Sequence, residues 1–361
     1  MDSIYGAFEV GIGYDGSRIP LAGTHLPVGQ PLDRREARIV IGLRKAHLVA
    51  LCVAGIVSGS ARAGEKIYWT TDTGNRIQRA NPDGTNVETV VFGIANPLGL
   101  ALDTEEGTMY WTQRSSGEIW RASLDGDGAA PLILFASGTE LRGIALDRTN
   151  RRLYWVNETT QTIQRMSLGG GDMEDVIRFG PQGRVIGVTL DVEHNKMYWG
   201  DYAQWRIMQA DLDGNDVTPL IQLAIDRPYY LEPDTENRQL YWVDYLGQRI
   251  RRVSLDGGEA ETLVQTAAPP IGIALDIPHG KVYWTLTTGV VQRANLDGTG
   301  VEDVVIDLDD VWAIELATAG VGVPAYSTLG LAIATASIAL LAGALLRRRA
   351  LHAGASHPVG R

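Results

Sequence analysis

Cysteine occurs once in the 361 residues, at Cys52, so no disulfide can close within the chain and no paired-thiol metal site can be built. Cys52 itself lies in an apolar run behind the bulky Leu51, which suits a hydrophobic residue and not a lipoprotein cleavage site. Histidine is also sparse: of six, only His194 and His279 fall between residues 64 and 324, both in polar turns (Glu193-His-Asn and Pro278-His-Gly). No Gly-x-Ser-x-Gly elbow, Cys-His pair or clustered His set occurs, which removes the common signatures of covalent hydrolysis. Basic charge is short as well. Residues 64–324 carry 21 Lys and Arg against 38 Asp and Glu, a net of −17. Such a surface repels a phosphate backbone, so nucleic acid is excluded as a partner. Phenylalanine numbers only four, whereas Trp and Tyr number nine and thirteen.

Those Trp and Tyr residues are not scattered. Six Tyr-Trp pairs stand at Tyr68-Trp69, Tyr110-Trp111, Tyr154-Trp155, Tyr198-Trp199, Tyr241-Trp242 and Tyr283-Trp284, with intervals between tryptophans of 42, 44, 44, 43 and 42 residues. An aromatic signature with a period in the forties, among short strands, marks a β-propeller with one blade per repeat. Each repeat reads as four strands. In the second, Gly99–Asp103, Met109–Thr112, Glu118–Ser123 and Ala130–Phe135 are separated by Thr104–Gly107, Gln113–Gly117 and the Leu124-Asp-Gly126 turn. The Asp-Gly pair recurs at Asp83, Asp125, Asp213, Asp256 and Asp297, where a tight hairpin needs the positive φ that Gly adopts freely. One copy is replaced by Leu168-Gly-Gly-Gly-Asp172. The acidic run Asp211–Asp216 occupies the same turn and is read as a hairpin, not a calcium loop. The first repeat opens on its second strand, at Glu65-Lys-Ile-Tyr-Trp, and the missing first strand appears as Trp312-Ala-Ile-Glu-Leu316. A C-terminal strand completing the N-terminal blade removes a free edge. The fold class is all-β, a six-bladed propeller over 64–318.

The repeats resemble the YWTD, or class B, repeats of the low-density lipoprotein receptor from about Glu65 to Thr318, in spacing, in the Tyr-Trp pair, in the Gly-x-Ala-Leu-Asp strand and in the Leu-Asp-Gly turn. After Tyr-Trp the chain departs from the Thr-Asp of that family. It has Thr70-Thr71, Thr112-Gln113, Val156-Asn157, Gly200-Asp201, Val243-Asp244 and Thr285-Leu286. The resemblance implies weaker cross-blade ties in the blades built on Thr71 and Leu286. It also implies a receptor-like binding role, with no ligand identity carried over.

The segments outside the repeats read as addresses. Residues 1–63 end in Arg44-Lys45, the apolar run Leu48–Val57 and Ala61-Arg-Ala63, the layout of a leader and signal peptide cut by signal peptidase before Gly64. Residues 319–328 form a linker containing Val323-Pro324. Residues 329–346 are an apolar stretch long enough to cross a bilayer as a transmembrane helix, and 347–361 form a tail opening with Arg347-Arg-Arg349. Those arginines hold their end in the cytoplasm, leaving the propeller exported, at the cell surface or outside it. The order Val-Pro, apolar helix, arginine cluster resembles the bacterial PEP-CTERM and IPTL-CTERM sorting signals, which implies a sortase-like processing enzyme as a partner. A plain single-pass membrane anchor is the alternative.

Two features depart from the repeat. On the innermost strands Glu232 and Glu315 stand where other repeats have Ala101, Ala145, Thr189 and Ala274. These strands line the channel, so the two carboxylates are candidates for a cation such as calcium. Six-bladed lactonases of the gluconolactonase type are similar in placing channel acids around calcium, although they lack the Tyr-Trp ladder. On the face where loops join strands two to three and four to one, blades four and five gather Tyr202, Trp205, Tyr229, Tyr230 and Tyr245 with Arg206 and Arg227. Other blades offer Ser115-Ser116, Thr159-Thr160 or Thr287-Thr288 there. Trp, Tyr and Arg dominate binding hot spots. The reading is a non-catalytic extracellular scaffold binding a protein or glycan, with no cofactor. A structural envelope or matrix protein and a channel-metal lactonase or lyase are the alternatives.

Overall fold

A computed structural model of the protein describes residues 65–317 apart from Ile225. The leader, linker, apolar segment and basic tail lie outside these residues. Among the described residues no helix is long and apolar enough to cross a membrane.

Twenty-four strands form six four-stranded antiparallel sheets. In chain order the innermost strands of blades two to six are Pro97–Asp103, Leu141–Asp147, Val185–Asp191, Pro228–Asp234 and Pro270–Asp276. Blade one is composite. Its inner strand, Val311–Ala317, pairs with Lys66–Thr71 in the register Lys66↔Ala317 and Tyr68↔Glu315. The ring therefore closes as the sequence predicts, and both ends of the described chain emerge on one face.

The aromatic ladder is the core. All six Trp side chains are buried, each crossing to the third strand of its own blade. The indole N–H of Trp69, Trp155 and Trp284 donates to Gln78, Gln164 and Gln292 at 3.3, 3.1 and 3.0 Å. In blade two Trp111 stacks on Trp120 instead, and in blade five Arg251 lies over Trp242.

The repeated tyrosine joins blades. Tyr68, Tyr154 and Tyr241 donate to the carbonyls of Leu124, Leu212 and Leu296, in the Leu-Asp-Gly turn (Leu-Asp-Gly or its equivalent) of the next blade. Tyr283 reaches Pro82 in the corresponding turn and so joins blade six to blade one. An arginine opposite each tyrosine (Arg79, Arg165, Arg252, Arg293) donates to the same carbonyl. The Asp-Gly turns press on the preceding blade's outer strand: a Cβ on Gly84 would overlap the Val304 carbonyl, and one on Gly126 the Val90 carbonyl. Glycine is needed there for the close approach as well as for its positive φ.

The Thr of Thr-Asp also joins blades. Thr70, Thr112 and Thr285 donate to Leu98, Arg142 and Trp312 carbonyls of the next inner strand at 2.8, 2.6 and 2.7 Å. The acid does something else. Asp201 and Asp244 accept the backbone N–H of Arg184 and Arg227, pinning the loop that enters their own blade. The expected weakness beside Thr71 and Leu286 is therefore corrected. Those two blades keep both the tyrosine and the threonine tie, because neither tie uses the acid. The seam that lacks both lies between blades four and five, where Gly200 replaces Thr and Gln209 replaces the clasping Arg.

These clasps make a graded prediction. Arg165 is buried and bonds Tyr154, Leu212, Asp213 and Glu174. Arg121, its counterpart in blade two, is exposed opposite Tyr110, and in the next blade Gly-Gly-Gly replaces the Asp-Gly turn. Arg165→Met should cost about 2 kcal/mol in urea unfolding, since it strands a buried carbonyl and hydroxyl, while Arg121→Met should cost under about 0.5. Equal losses would remove the clasp as the reason for the repeat arginine.

Candidate functional site

All six inner strands shift register within their first four residues, as at Pro97/Leu100 and Pro228/Leu231. The bulge brings the third residue of each strand close to the next blade's backbone. That position is Gly99, Gly143, Gly187, Gly272 and Ala313 in five blades, and a Cβ on Gly99 would stand 2.7 Å from the Arg142 carbonyl. Blade five has Tyr230 instead. Bulges re-aim neighbouring side chains, and here they separate two consecutive tyrosines.

Tyr229 stays on the loop face. Its ring stacks on Tyr245 at 4.5 Å with a 15° interplanar angle and meets Tyr202 edge-on at 5.4 Å. The trio bridges the seam between blades four and five that lacks the repeated ties. Burial pushes the Tyr229 phenol up to about 12 and raises that of Tyr202, so both stay protonated across the physiological range. Tyr230 leaves this group. Its ring lies against Gly143 and Gly187 in the channel, and its hydroxyl is buried without a hydrogen-bond partner.

Trp205 is 44% exposed and has φ +53°, in the turn where other blades carry Asn75, Gly117, Gln161, Gln248 or Gly289. Its carbonyl accepts the Leu223 N–H at 2.7 Å. Arg227, four residues on from Leu223, has its own N–H held by Asp244 at 2.9 Å. The Arg227 side chain and Leu246 are exposed beside the stack. Arg206 is half-buried and paired with Asp201 at 3.3 Å, so it supports the turn more than it faces outward. Of the residues predicted for this face, the structure gathers Tyr202, Tyr229 and Tyr245, sets Trp205 and Arg227 at their border, and sends Tyr230 inward. Sequence reasoning missed Leu246 and the contribution of Arg142, which is paired with Glu158 near Tyr202.

The channel widens into a cavity of about 350 Å³ lined by Glu232, Glu315, Thr189, Ala145, Arg148 and Tyr230, among others. It opens among the turns that follow the inner strands, away from the tyrosine stack. Thr189 donates to Glu232 at 3.3 Å. Both residues line the cavity, and loss of solvent raises both carboxyls. Glu232 is pushed up to about 7, against the pull of Thr189 and Arg148, and Glu315 is raised further by the charge of Glu232. Arg148 donates to the Leu102 carbonyl at 2.9 Å and forms no ion pair with either acid among the described residues. No group of three or more His, Cys, Asp or Glu side chains converges among those residues. His194 and His279 sit in their turns, each ring 2.9 Å from the aspartate three residues before it. Asp211 of the acidic run is taken up by Lys196 at 2.6 Å.

No protein-family model matches the chain. A 105-residue stretch is 35% identical to Nidogen-2 of Mus musculus, covering 28% of this chain and 7% of that one. Seventy-one residues are 44% identical to low-density lipoprotein receptor-related protein 1 of Pyricularia oryzae, covering 18% and 22%. Sixty-seven are 37% identical to low-density lipoprotein receptor-related protein 5 of Mus musculus, covering 17% and 4%. The matches thus span less than a quarter of any of these relatives. Among solved structures, a chain of a nidogen/laminin complex superposes with TM-score 0.65 at 23% identity, over 70% of this chain and 98% of that one. A streptogramin B lyase gives 0.54 at 16% over 71% and 85%, and TolB from Acinetobacter baumannii 0.60 at 12% over 75% and 71%. At such identities these neighbours show the fold alone. With six Tyr-Trp blades closed by a C-terminal strand, residues 65–317 form a six-bladed propeller whose repeats are similar to those of nidogen and the low-density lipoprotein receptor-related proteins.

Proposed function

We propose that the chain is a non-catalytic platform that binds a protein partner through the face bordered by Trp205, Arg227 and Leu246. The observation that carries this is Trp205. A bulky residue in left-handed backbone costs roughly 1–2 kcal/mol, and an indole left exposed recovers little of that by burial. The turn is left-handed in all six blades, so what sets blade four apart is the exposed indole placed there, the residue type that dominates binding hot spots. The relatives support the reading, since one superposing propeller comes from a nidogen/laminin complex.

We further propose that the protein is exported and anchored through 329–346, as its apolar stretch and arginines suggest. Both ends of the propeller leave on the face opposite the tyrosine stack, so such an anchor would hold the stack away from the membrane. A sortase-like enzyme acting on 319–328 would instead release it.

The test is capture of extracellular protein by the immobilised chain, with the captured partner then titrated against variants. Trp205→Ala with Arg227→Ala should weaken binding about thirty-fold or more, a loss of 2 kcal/mol, and leave the melting temperature near that of the parent. Tyr245→Ala is the poorer probe because it also dismantles the seam. Glu232→Gln with Glu315→Gln should leave capture unchanged. Binding that ignores the Trp205 and Arg227 changes would overturn the assignment. Capture that survives proteolysis of the partner but not glycosidase treatment would make the ligand a glycan.

A further inference from the structure

We propose that the channel cavity is a second binding site, specific for a primary ammonium group on a short aliphatic chain. The inference is independent of the partner face, which lies at the other end of the channel. Its basis is the side-chain chemistry of the cavity. Glu315 has no hydrogen-bond or ion-pair partner among the described residues, and Glu232 accepts only from Thr189. At the inner end the Tyr230 hydroxyl, a separate group on a different residue, is buried with no partner. A buried hydroxyl left unpartnered is a group that a bound donor satisfies. Three side chains able to accept a hydrogen bond therefore line one cavity, while Arg148, the Arg in its lining, is exposed and donates to a backbone carbonyl.

An ammonium carries three N–H donors and no acceptor, the complement of that set. Calcium takes six to eight oxygens, which two carboxylates and one or two hydroxyls supply only if both bind bidentately or waters complete the shell. Charge agrees: like-charged acids sharing a low-dielectric space resist ionising together, and a monovalent cation relieves that. The apolar part of the wall, including Ala145, Ile144 and Val188, suits a short alkyl chain, and about 350 Å³ admits one. The ammonium could come from a free alkylamine or from the end of a lysine side chain.

The experiment is calorimetric titration of the full-length protein, in phosphate and without amine buffers, with butylammonium, Nα-acetyl-lysinamide, n-butanol and calcium chloride. Butylammonium should bind saturably at one site per chain. Binding of Nα-acetyl-lysinamide as well would assign the source to a lysine side chain, and binding of butylammonium alone to a free amine; either supports the site. Glu232→Gln with Glu315→Gln should weaken butylammonium more than tenfold, and so should Ala145→Leu, which fills the cavity but keeps both acids. Tyr230→Phe should weaken it several-fold with the ring retained. The proposal is overturned if butylammonium shows no saturable binding, if n-butanol binds equally well, if calcium binds in its place with loss in the same double variant, or if the Gln variant binds as the parent does.

Discussion

Deleting Val311–Ala317 should abolish the sharp thermal transition of the propeller. This strand is the inner wall of blade one and joins the chain's end to its beginning. Its loss frees the edge of Lys66–Thr71, removes the Ala313 N–H bond to Thr70, and takes away the Trp312 carbonyl that Thr285 holds across the last seam. Val311 and Ile314 are also fully buried or nearly so. At about 1.5–3 kcal/mol for each such side chain, these two alone approach the 5–15 kcal/mol by which a domain is stable. The deleted protein should melt broadly, bind a hydrophobic dye and tend to associate through the exposed edge. A transition of unchanged sharpness and midpoint would mean that blade one does not depend on its C-terminal strand, and the closure would be wrong.

The ring could be read from sequence because its determinants repeat. Six Tyr-Trp pairs at one period, the Asp-Gly turns and an orphan strand after the last repeat fix blade number and closure without any long-range information. The Asp-Gly turn was legible only in part: its positive φ is a local property, but the contact of Gly84 with the Val304 carbonyl belongs to two blades at once. The same holds for the ties. The family pattern pointed to the acid after Tyr-Trp-Thr, whereas the cross-blade bonds come from the Tyr, the Thr and an Arg on the next strand. The candidate face was legible as a group of aromatics but not as a geometry. Strand alternation cannot foretell that a bulge turns Tyr229 outward and Tyr230 into the channel. A signal was present, since Tyr230 aligns with Gly99, Gly143, Gly187 and Gly272, and a ring-sized side chain at a glycine position has to occupy the space the glycines leave open. The left-handed backbone of Trp205 is the conformation of that turn in every blade, signalled in sequence only where Asn75, Gly117 or Gly289 occupies it.

Replacing both channel acids, Glu232→Gln with Glu315→Gln, should stabilise the protein in alkaline solution and leave it unchanged in acid. Each acid ionises less readily in the folded ring than its ordinary value of 4.5. Well below pH 4 both are protonated whether the chain is folded or not, so they contribute no pH dependence. Between about 4.5 and 7 the unfolded chain sheds these protons first, and folding becomes less favourable as the pH rises. Above about 7 the Glu232 penalty is complete, and Glu315, raised by desolvation and by the charge of Glu232, adds to it. A carboxyl moved from 4.5 to about 7 corresponds to roughly 3 kcal/mol at 1.36 kcal/mol per unit. For a domain of this size that is a rise of about 6–12 °C in melting temperature at pH 8 for the Gln variant. Glutamine keeps an acceptor for Thr189, so the gain reports charge and not packing. Butylammonium should narrow the gap by stabilising only the parent, because the cation offsets the carboxylate charge in the folded state. Parallel melting curves of parent and variant from pH 4 to pH 8 would show that the two acids ionise freely in the channel, and would remove the electrostatic ground on which the ammonium site rests.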